Sequence, residues 1–103
     1  MNPFDMMKNM KDLQKNVDKM KSQLETIFAT GISGAGMVEI TINGKYVITD
    51  IKIDKAIVDP EDVNTLQVLI AAAFNNASEN LQQKLQEESA KMAGSFGNMF
   101  GQN

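Results

Sequence analysis

Apolar residues near the start of the chain recur at alternating intervals of three and four. The series comprises Met10, Leu13, Val17, Met20, Leu24 and Ile27. This is the heptad spacing of an amphipathic helix that packs lengthwise against another helix. With Pro3 at a position where a first-turn proline is tolerated, it predicts one long helix over residues 4–28. Phe4, Met6 and Met7 are predicted to extend its apolar face toward the N-terminus.

The period changes to two after a glycine-rich stretch at residues 31–36. Apolar residues then alternate with polar ones at Val38, Ile40 and Ile42, and recur at Val47, Ile51 and Ile53. Asn43-Gly44 between the two runs is the signal of a two-residue type I′ hairpin turn. That turn predicts two cross-strand pairs, Ile40 with Val47 and Val38 with Thr49. Residues 28–32 are predicted as a third strand.

A second long helix is predicted from the Asp59-Pro60-Glu61-Asp62 segment to about Met92, with Asp59 as its cap. Residues 68–74 within it are all apolar, a composition that is unusual for a helix covered on one side only. Residues 93–103 show no apolar period and are predicted as a flexible Gly/Asn/Phe/Met tail. The chain is thus predicted as one dimerising domain, residues 1–92, followed by that tail.

The predicted fold class is α+β, with a long helix, a three-stranded antiparallel sheet and a second long helix. Helices of about 25 and 32 residues would be about 38 and 48 Å long, well beyond a compact domain whose radius of gyration is about 13 Å. Because the overhanging apolar stripes need a partner, a homodimer is favoured over a monomer. The predicted interface comprises Ile40, Leu69, Ala72, Ala73 and Phe74.

Composition argues against most enzyme chemistry. The 103 residues include no Cys and no His, which are common nucleophiles, general bases and metal ligands. The Gly31–Gly36 segment lacks the Lys-Ser/Thr of a phosphate-binding loop and is interpreted as a turn. No run of residues is apolar for long enough to cross a bilayer. We expect a cytoplasmic protein with no cofactor, metal, membrane partner or small-molecule substrate.

Charge adds one informative feature. All 10 basic residues are lysines and the net charge is −3. Lys8, Lys11, Lys15 and Lys19 fall within about 80° of each other on a helical wheel, opposite the apolar stripe. The simpler interpretation is a solvated helix face. The alternative is a ridge that neutralises phosphates without reading bases, present twice in a dimer, since arginine forks are absent.

Three segments together resemble the YbaB/EbfC family of bacterial nucleoid-associated proteins. They are GISGAGMVEITING at residues 31–44, VITDIKID at 47–54 and LIAAAFNNA at 69–77, and the similarity extends over about residues 4–92. The resemblance implies an intertwined homodimer with projecting helices that binds double-stranded DNA, organises the nucleoid and influences gene expression, with no active site. The family's lysine-bearing first helix corresponds to the four lysines above. Relatives often have basic residues where this chain has Thr49-Asp50 and Ser78-Glu79-Asn80.

A second interpretation comes from a different class of protein. Prefoldin subunits also join two long helices through β-hairpins, and a Met-rich N-terminus with a Phe/Met tail could hold apolar clients. A prefoldin-like or adaptor coiled-coil module that binds protein clients is therefore the alternative. Binding to generic duplex DNA distinguishes the two.

Overall fold

The computed structural model describes the backbone of residues 2–99 and the side chains of residues 2–91. Helix α1 spans Pro3–Glu25, strands follow at Phe28–Ser33 (β1), Val38–Asn43 (β2) and Ile48–Ile53 (β3), and helix α2 spans Val63–Met99. The strands form one antiparallel sheet in the order β1-β2-β3. The predicted succession of long helix, three-stranded antiparallel sheet and long helix is confirmed.

Helix α1 begins with a capped first turn and ends earlier than predicted. The side-chain oxygen of Asn2 accepts a hydrogen bond from the backbone N–H of Asp5 at 2.8 Å, as an N-cap residue should. At the other end, the backbone N–H of Gly44, in the β2–β3 loop, donates to the carbonyl of Leu24 at 2.9 Å. Because this contact ties the end of α1 to the hairpin, the helix stops at Glu25 and residue 28 already belongs to β1.

The loop between β2 and β3 is longer than the predicted two-residue turn. The backbone N–H of Asn43 donates to the carbonyl of Val47, and the Asn43 side-chain oxygen accepts from the N–H groups of Lys45 and Val47. Tyr46 has φ +63°, the left-handed conformation that completes a three-residue hairpin loop. The loop backbone is therefore satisfied by the Asn43 side chain, which sequence patterning did not anticipate.

This loop changes the strand register. The predicted pairs of Ile40 with Val47 and Val38 with Thr49 are wrong, because Ile40 lies opposite Ile51 and Val38 opposite Ile53, with an irregularity between Thr41 and Ile42. For both pairs the shift is four residues, an even number, and side chains alternate between the two faces of a strand. Ile51 and Ile53 consequently still share one face with Val38 and Ile40, as predicted. Beyond the irregularity Ile42 pairs with Ile48, so the predicted place of Val47 on this face is taken by Ile48.

Helix α2 crosses the sheet at a glycine. A Cβ atom added at Gly31 of β1 would come closer than 3.0 Å to the backbone of Ala73 and Ala77 in α2. Small residues at this crossing let the helix and strand backbones touch. Around them the buried core is formed by Ala29, Val38, Ile40, Ile42, Ala73, Ala77 and Leu81. The core thus lies between α2 and the first two strands.

Three polar side chains of α2, spaced four residues apart on one flank of the helix, hydrogen-bond to the free edge of β1. Asn76 Oδ1 accepts from Ile32 N at 2.9 Å, Asn80 Nδ2 donates to Thr30 O at 2.8 Å, and Lys84 Nζ donates to Phe28 O at 2.7 Å. Three backbone groups along this edge thus already have partners within the protomer. The β1 edge is therefore protected from pairing with a strand of another chain.

Helix α2 begins and ends later than predicted. Asp59 to Asp62 form a turn closed by a 2.9 Å hydrogen bond between the Asp62 N–H and the Asp59 carbonyl, and the Asp62 carboxylate caps the first helical turn. The cap is thus Asp62 rather than Asp59, and the helix starts at Val63. It continues beyond the predicted end at Met92 to Met99. The side chains of the predicted tail at 93–103 lie outside the described residues. From residue 100 on, its backbone lies outside them as well.

Helix α1 projects away from the core. None of its residues is buried, and the chain measures 67 × 41 × 16 Å with a radius of gyration of 20.4 Å. A compact domain of this length would have a radius of gyration of about 13 Å. Over the described residues, neither helix carries a stretch apolar enough to serve as a membrane span. The fold therefore presents α1 as an arm, exposed on all sides within one protomer.

Candidate nucleic-acid interface

The four lysines predicted to bind DNA form a single exposed row on α1, called here the lysine stripe: Lys8, Lys11, Lys15 and Lys19. At about 1.5 Å per residue, the stripe is about 16 Å long. Phosphates of one DNA strand recur about every 3.4 Å along the duplex axis. A row of this length can therefore reach several consecutive phosphates.

Within the described residues, no carboxylate lies within ion-pairing distance of the lysine stripe. Three of the six lysines outside the stripe are paired: Lys45 with Glu25 at 3.2 Å, Lys52 with Glu39 at 3.6 Å, and Lys91 with Glu88 at 3.9 Å. Asp18, an acid beside the stripe, instead accepts a hydrogen bond from the Gln14 amide at 3.1 Å. The stripe therefore keeps its positive charge available to an external anion.

The tip of the arm departs from the predicted pattern. The sequence pattern predicts that Phe4 extends the apolar stripe of α1, but Phe4 lines a hollow of about 350 Å³ together with Met7, Lys8 and Lys11. The phenyl ring thus lies on the lysine side of the helix, where it is 77% exposed. Its position on a helical wheel would have revealed this, because Phe4 precedes Lys8 by one helical turn.

The five residues of the predicted dimer interface differ in burial and position within the protomer. Ile40 and Ala73 have no exposed surface, since the sheet and α2 cover them within one protomer. No partner can reach these two side chains, so they are removed from the interface. Leu69 is half-buried and Ala72 is exposed, both on the flank of α2 that faces the β1 edge. Phe74, half-buried, lies about 160° around the helix from Ala72.

An apolar surface remains open beside α2, and we call it the β3 face: Ile51, Ile53, Ile70 and Phe74. The cross-strand register places Ile51 and Ile53 on the same side of the sheet as the buried β2 residues. Helix α2, however, packs over β1 and β2. The two isoleucines consequently remain 45% and 37% exposed, and Ile70 and Phe74 are half-buried.

The apolar stripe of α1 is also uncovered in the protomer. Met10, Leu13, Val17 and Met20 are between 40% and 70% exposed. A cleft of about 650 Å³ separates the base of this stripe, at Met20 and Leu24, from Leu85 of α2. The heptad pattern is therefore present as an amphipathic helix, but no described segment of the same chain covers its apolar side.

The fold and the arm define a small α+β protein that presents a row of lysines, free of ion pairs with any described residue, on a projecting helix. Such a surface suits an extended anionic partner. The model of the YbaB/EbfC DNA-binding family matches residues 1–96. The chain belongs to this family, whose members are nucleoid-associated DNA-binding proteins rather than enzymes.

Individual relatives agree with this assignment. Nucleoid-associated proteins of Paramagnetospirillum magneticum and Rhodospirillum centenum are each 43% identical, with 85% of this chain and 89% of each relative covered. One from Dictyoglomus thermophilum is 37% identical over 89% of this chain and 88% of its own length. The crystal structure of an uncharacterized Helicobacter pylori protein matches with a TM-score of 0.64 at 20% identity, covering 90% of this chain and 98% of that one. The last match concerns the fold alone.

Proposed function

We propose that this protein binds double-stranded DNA as a homodimer, largely without base readout, and alters DNA conformation in the cytoplasm, contributing to nucleoid organisation and gene regulation. The observation that carries the proposal is the lysine stripe, four exposed cations on one face of a projecting helix that form no ion pair within the described part of the chain. Family membership and the names of the relatives support DNA as the partner.

The chemistry of the stripe favours phosphate contacts over base contacts. Lysine is a point charge without the planar fork with which arginine reads guanine edges, and the chain has no arginine. The outer face of the sheet offers little alternative, because Lys52 is paired with Glu39 and Asp50 lies across from Thr41. Binding would therefore depend on charge and on the shape of the duplex.

The β3 face is the surface we assign to the second protomer. It is apolar and lies at the edge of the sheet opposite the protected β1 edge. A two-fold pairing through this face would present two arms, and hence two lysine stripes. Two separate phosphate contacts on one rigid body would let the dimer bend one duplex or bridge two.

The DNA-binding proposal predicts a moderate salt dependence. If about half of the eight stripe lysines of a dimer neutralise phosphates, log K should fall against log salt with a slope of roughly −3 to −4, because each phosphate contributes about −0.9. Fluorescence anisotropy with a labelled generic duplex, titrated at several salt concentrations, measures this slope. A protein that binds no duplex even at low salt would contradict the proposal and favour the client-binding alternative.

The dimer proposal predicts that Ile51→Lys yields a folded monomer. Ile51 is half-exposed in the protomer, so a lysine there can reach solvent, whereas in the dimer it would bury an unpaired charge. Dimer affinity should fall about 100-fold or more, which analytical ultracentrifugation over a range of concentrations detects. Circular dichroism should be unchanged.

Ile32→Lys is the matched control for the dimer test. Ile32 is 53% exposed but lies on the outer face of the sheet, across from Glu39. Its substitution should leave the dimer intact. Dissociation by Ala72→Glu with no effect of Ile51→Lys would place the interface on the β1 flank of α2, and a monomeric wild-type protein would exclude both surfaces.

A further inference from the structure

Phe4 lies among the lysines of α1 and away from its apolar stripe. With Lys8 at zero on a wheel of about 100° per residue, Phe4 falls at about 320°, between Lys11 at about 300° and Lys15 at about 340°. The centre of the apolar stripe is at about 160° on the same wheel. The ring is 77% exposed and borders the hollow shared with Lys8 and Lys11.

The capped helix start orders the backbone that carries this ring. The Asn2 side chain accepts the Asp5 N–H at 2.8 Å, and Pro3 occupies the first helical position with its restricted φ. The first turn is therefore ordered by two independent features. Phe4, the next residue, is presented beside Lys8 from an ordered backbone, so a ligand has only its side-chain torsions to order.

Two other uses of an exposed aromatic ring do not fit this position. An amphipathic helix that enters a membrane surface places its rings on the apolar side and its lysines on the other, whereas Phe4 is on the lysine side. A protein chain packed along the stripe from Met10 to Leu24 would contact the opposite side of α1 and leave Phe4 uncovered. The ring instead fits a ligand that carries negative charge and flat apolar faces together.

We propose that Phe4 stacks on a DNA base exposed at an unpaired or unstacked step, while Lys8 and Lys11 bind the adjacent phosphates. This inference rests on the proposed DNA binding. Nucleobases offer a flat π-face whatever their identity, and aromatic residues beside cations are the usual means of contacting them. The arm tip would thus give the protein a preference for distorted DNA without a sequence code.

The test compares two labelled duplexes of about 20 base pairs, one fully paired and one with a central bubble of about three mismatches. We expect the wild type to bind the bubble about tenfold more tightly, which corresponds to about 1.4 kcal/mol and lies within the range for one stacked base. Phe4→Ala should abolish this preference while changing affinity for the paired duplex, and its salt slope, less than about twofold. Phe4→Trp should keep the preference.

Met10→Ala is the control, because Met10 is 70% exposed on the apolar stripe of the same helix, about 120° around from Phe4. It should retain the preference for the bubble. A wild type that binds both duplexes equally, or a Phe4→Ala variant that keeps the preference, overturns the inference but leaves DNA binding in place. A wild type that binds neither duplex overturns both proposals. Loss of binding to phosphatidylglycerol vesicles in Phe4→Ala, with DNA binding unchanged, would assign the ring to a membrane surface and likewise overturn the inference.

Discussion

Replacing Gly31 by alanine is expected to destabilise the protein by about 3 kcal/mol or more. The added methyl group would come closer than 3.0 Å to the backbone of Ala73 and Ala77, so it would collide with the helix itself and not with a movable side chain. Helix α2 would have to lift from the sheet, which opens the core around Leu81. Native proteins are stable by only about 5–15 kcal/mol, so this is a large fraction of the total.

Urea denaturation followed by circular dichroism, at one fixed protein concentration, measures the loss. Thr30→Ala is the matched control, since Thr30 is the neighbouring residue on the opposite, exposed face and loses only its hydroxyl contact with Thr41. It should cost less than about 1 kcal/mol. Ala77→Gly should not rescue Gly31→Ala, because the collision involves backbone atoms. Wild-type stability in Gly31→Ala would show that the helix does not rest on β1 at this point.

Reversing the charge of the middle of the lysine stripe is expected to abolish DNA binding. The double variant Lys11→Glu with Lys15→Glu changes the charge of the proposed site most strongly at its centre, so phosphates would be repelled along the whole row. Affinity for a generic duplex at low salt should fall by about 100-fold or more in an anisotropy or mobility-shift assay. Both lysines are exposed and lie off the apolar stripe. The glutamate introduced by Lys15→Glu would lie four residues before Lys19, an order of acid and base that stabilises a helix. Helix content and dimerisation should therefore be retained.

A control with the same net charge separates the site from a general electrostatic effect. Lys21→Glu with Lys91→Glu removes the same number of positive charges from exposed positions outside the stripe. It should weaken binding less than about tenfold, through long-range repulsion alone. If the variant with Lys11→Glu and Lys15→Glu binds DNA as tightly as the wild type, the stripe is not the DNA interface. The next candidates are then Lys45, Lys52 and Lys55.

Much of the fold could be predicted because its signals are local. The change of apolar period from three-and-four to two marks the end of α1 and the beginning of the sheet, and the glycine-rich stretch marks the turn between β1 and β2. Ile51 and Ile53 lie on the predicted face even though the hairpin register was wrong, because their pairing moved by four residues and strand side chains alternate with a period of two. The lysine stripe could also be predicted from the sequence, since residues three and four apart lie on one side of any helix.

The errors have several physical origins, some local and one in a contact between distant segments. The hairpin register depends on Asn43, whose side chain satisfies the loop amides, and the end of α1 depends on Leu24 meeting Gly44. The start of α2 was displaced for a local reason, because Asp59 and Asp62 are both acceptable caps and the sequence does not rank them. Among the candidate interface residues, Ile40 and Ala73 belong to the core of the protomer. Apolar character alone does not distinguish a core residue from an interface residue.

The sequence by itself determined which residues form helices and strands, which side of each is apolar, and which cations share a side, because these properties follow from backbone periodicity. Only the tertiary structure decided which apolar residues are buried within the protomer and which remain exposed. Gly31 lets α2 sit directly on β1 and bury Ala73 and Ile40, while Asn76, Asn80 and Lys84 close the β1 edge. Because one helix is too narrow to cover three strands, the same packing leaves Ile51 and Ile53 exposed beside it.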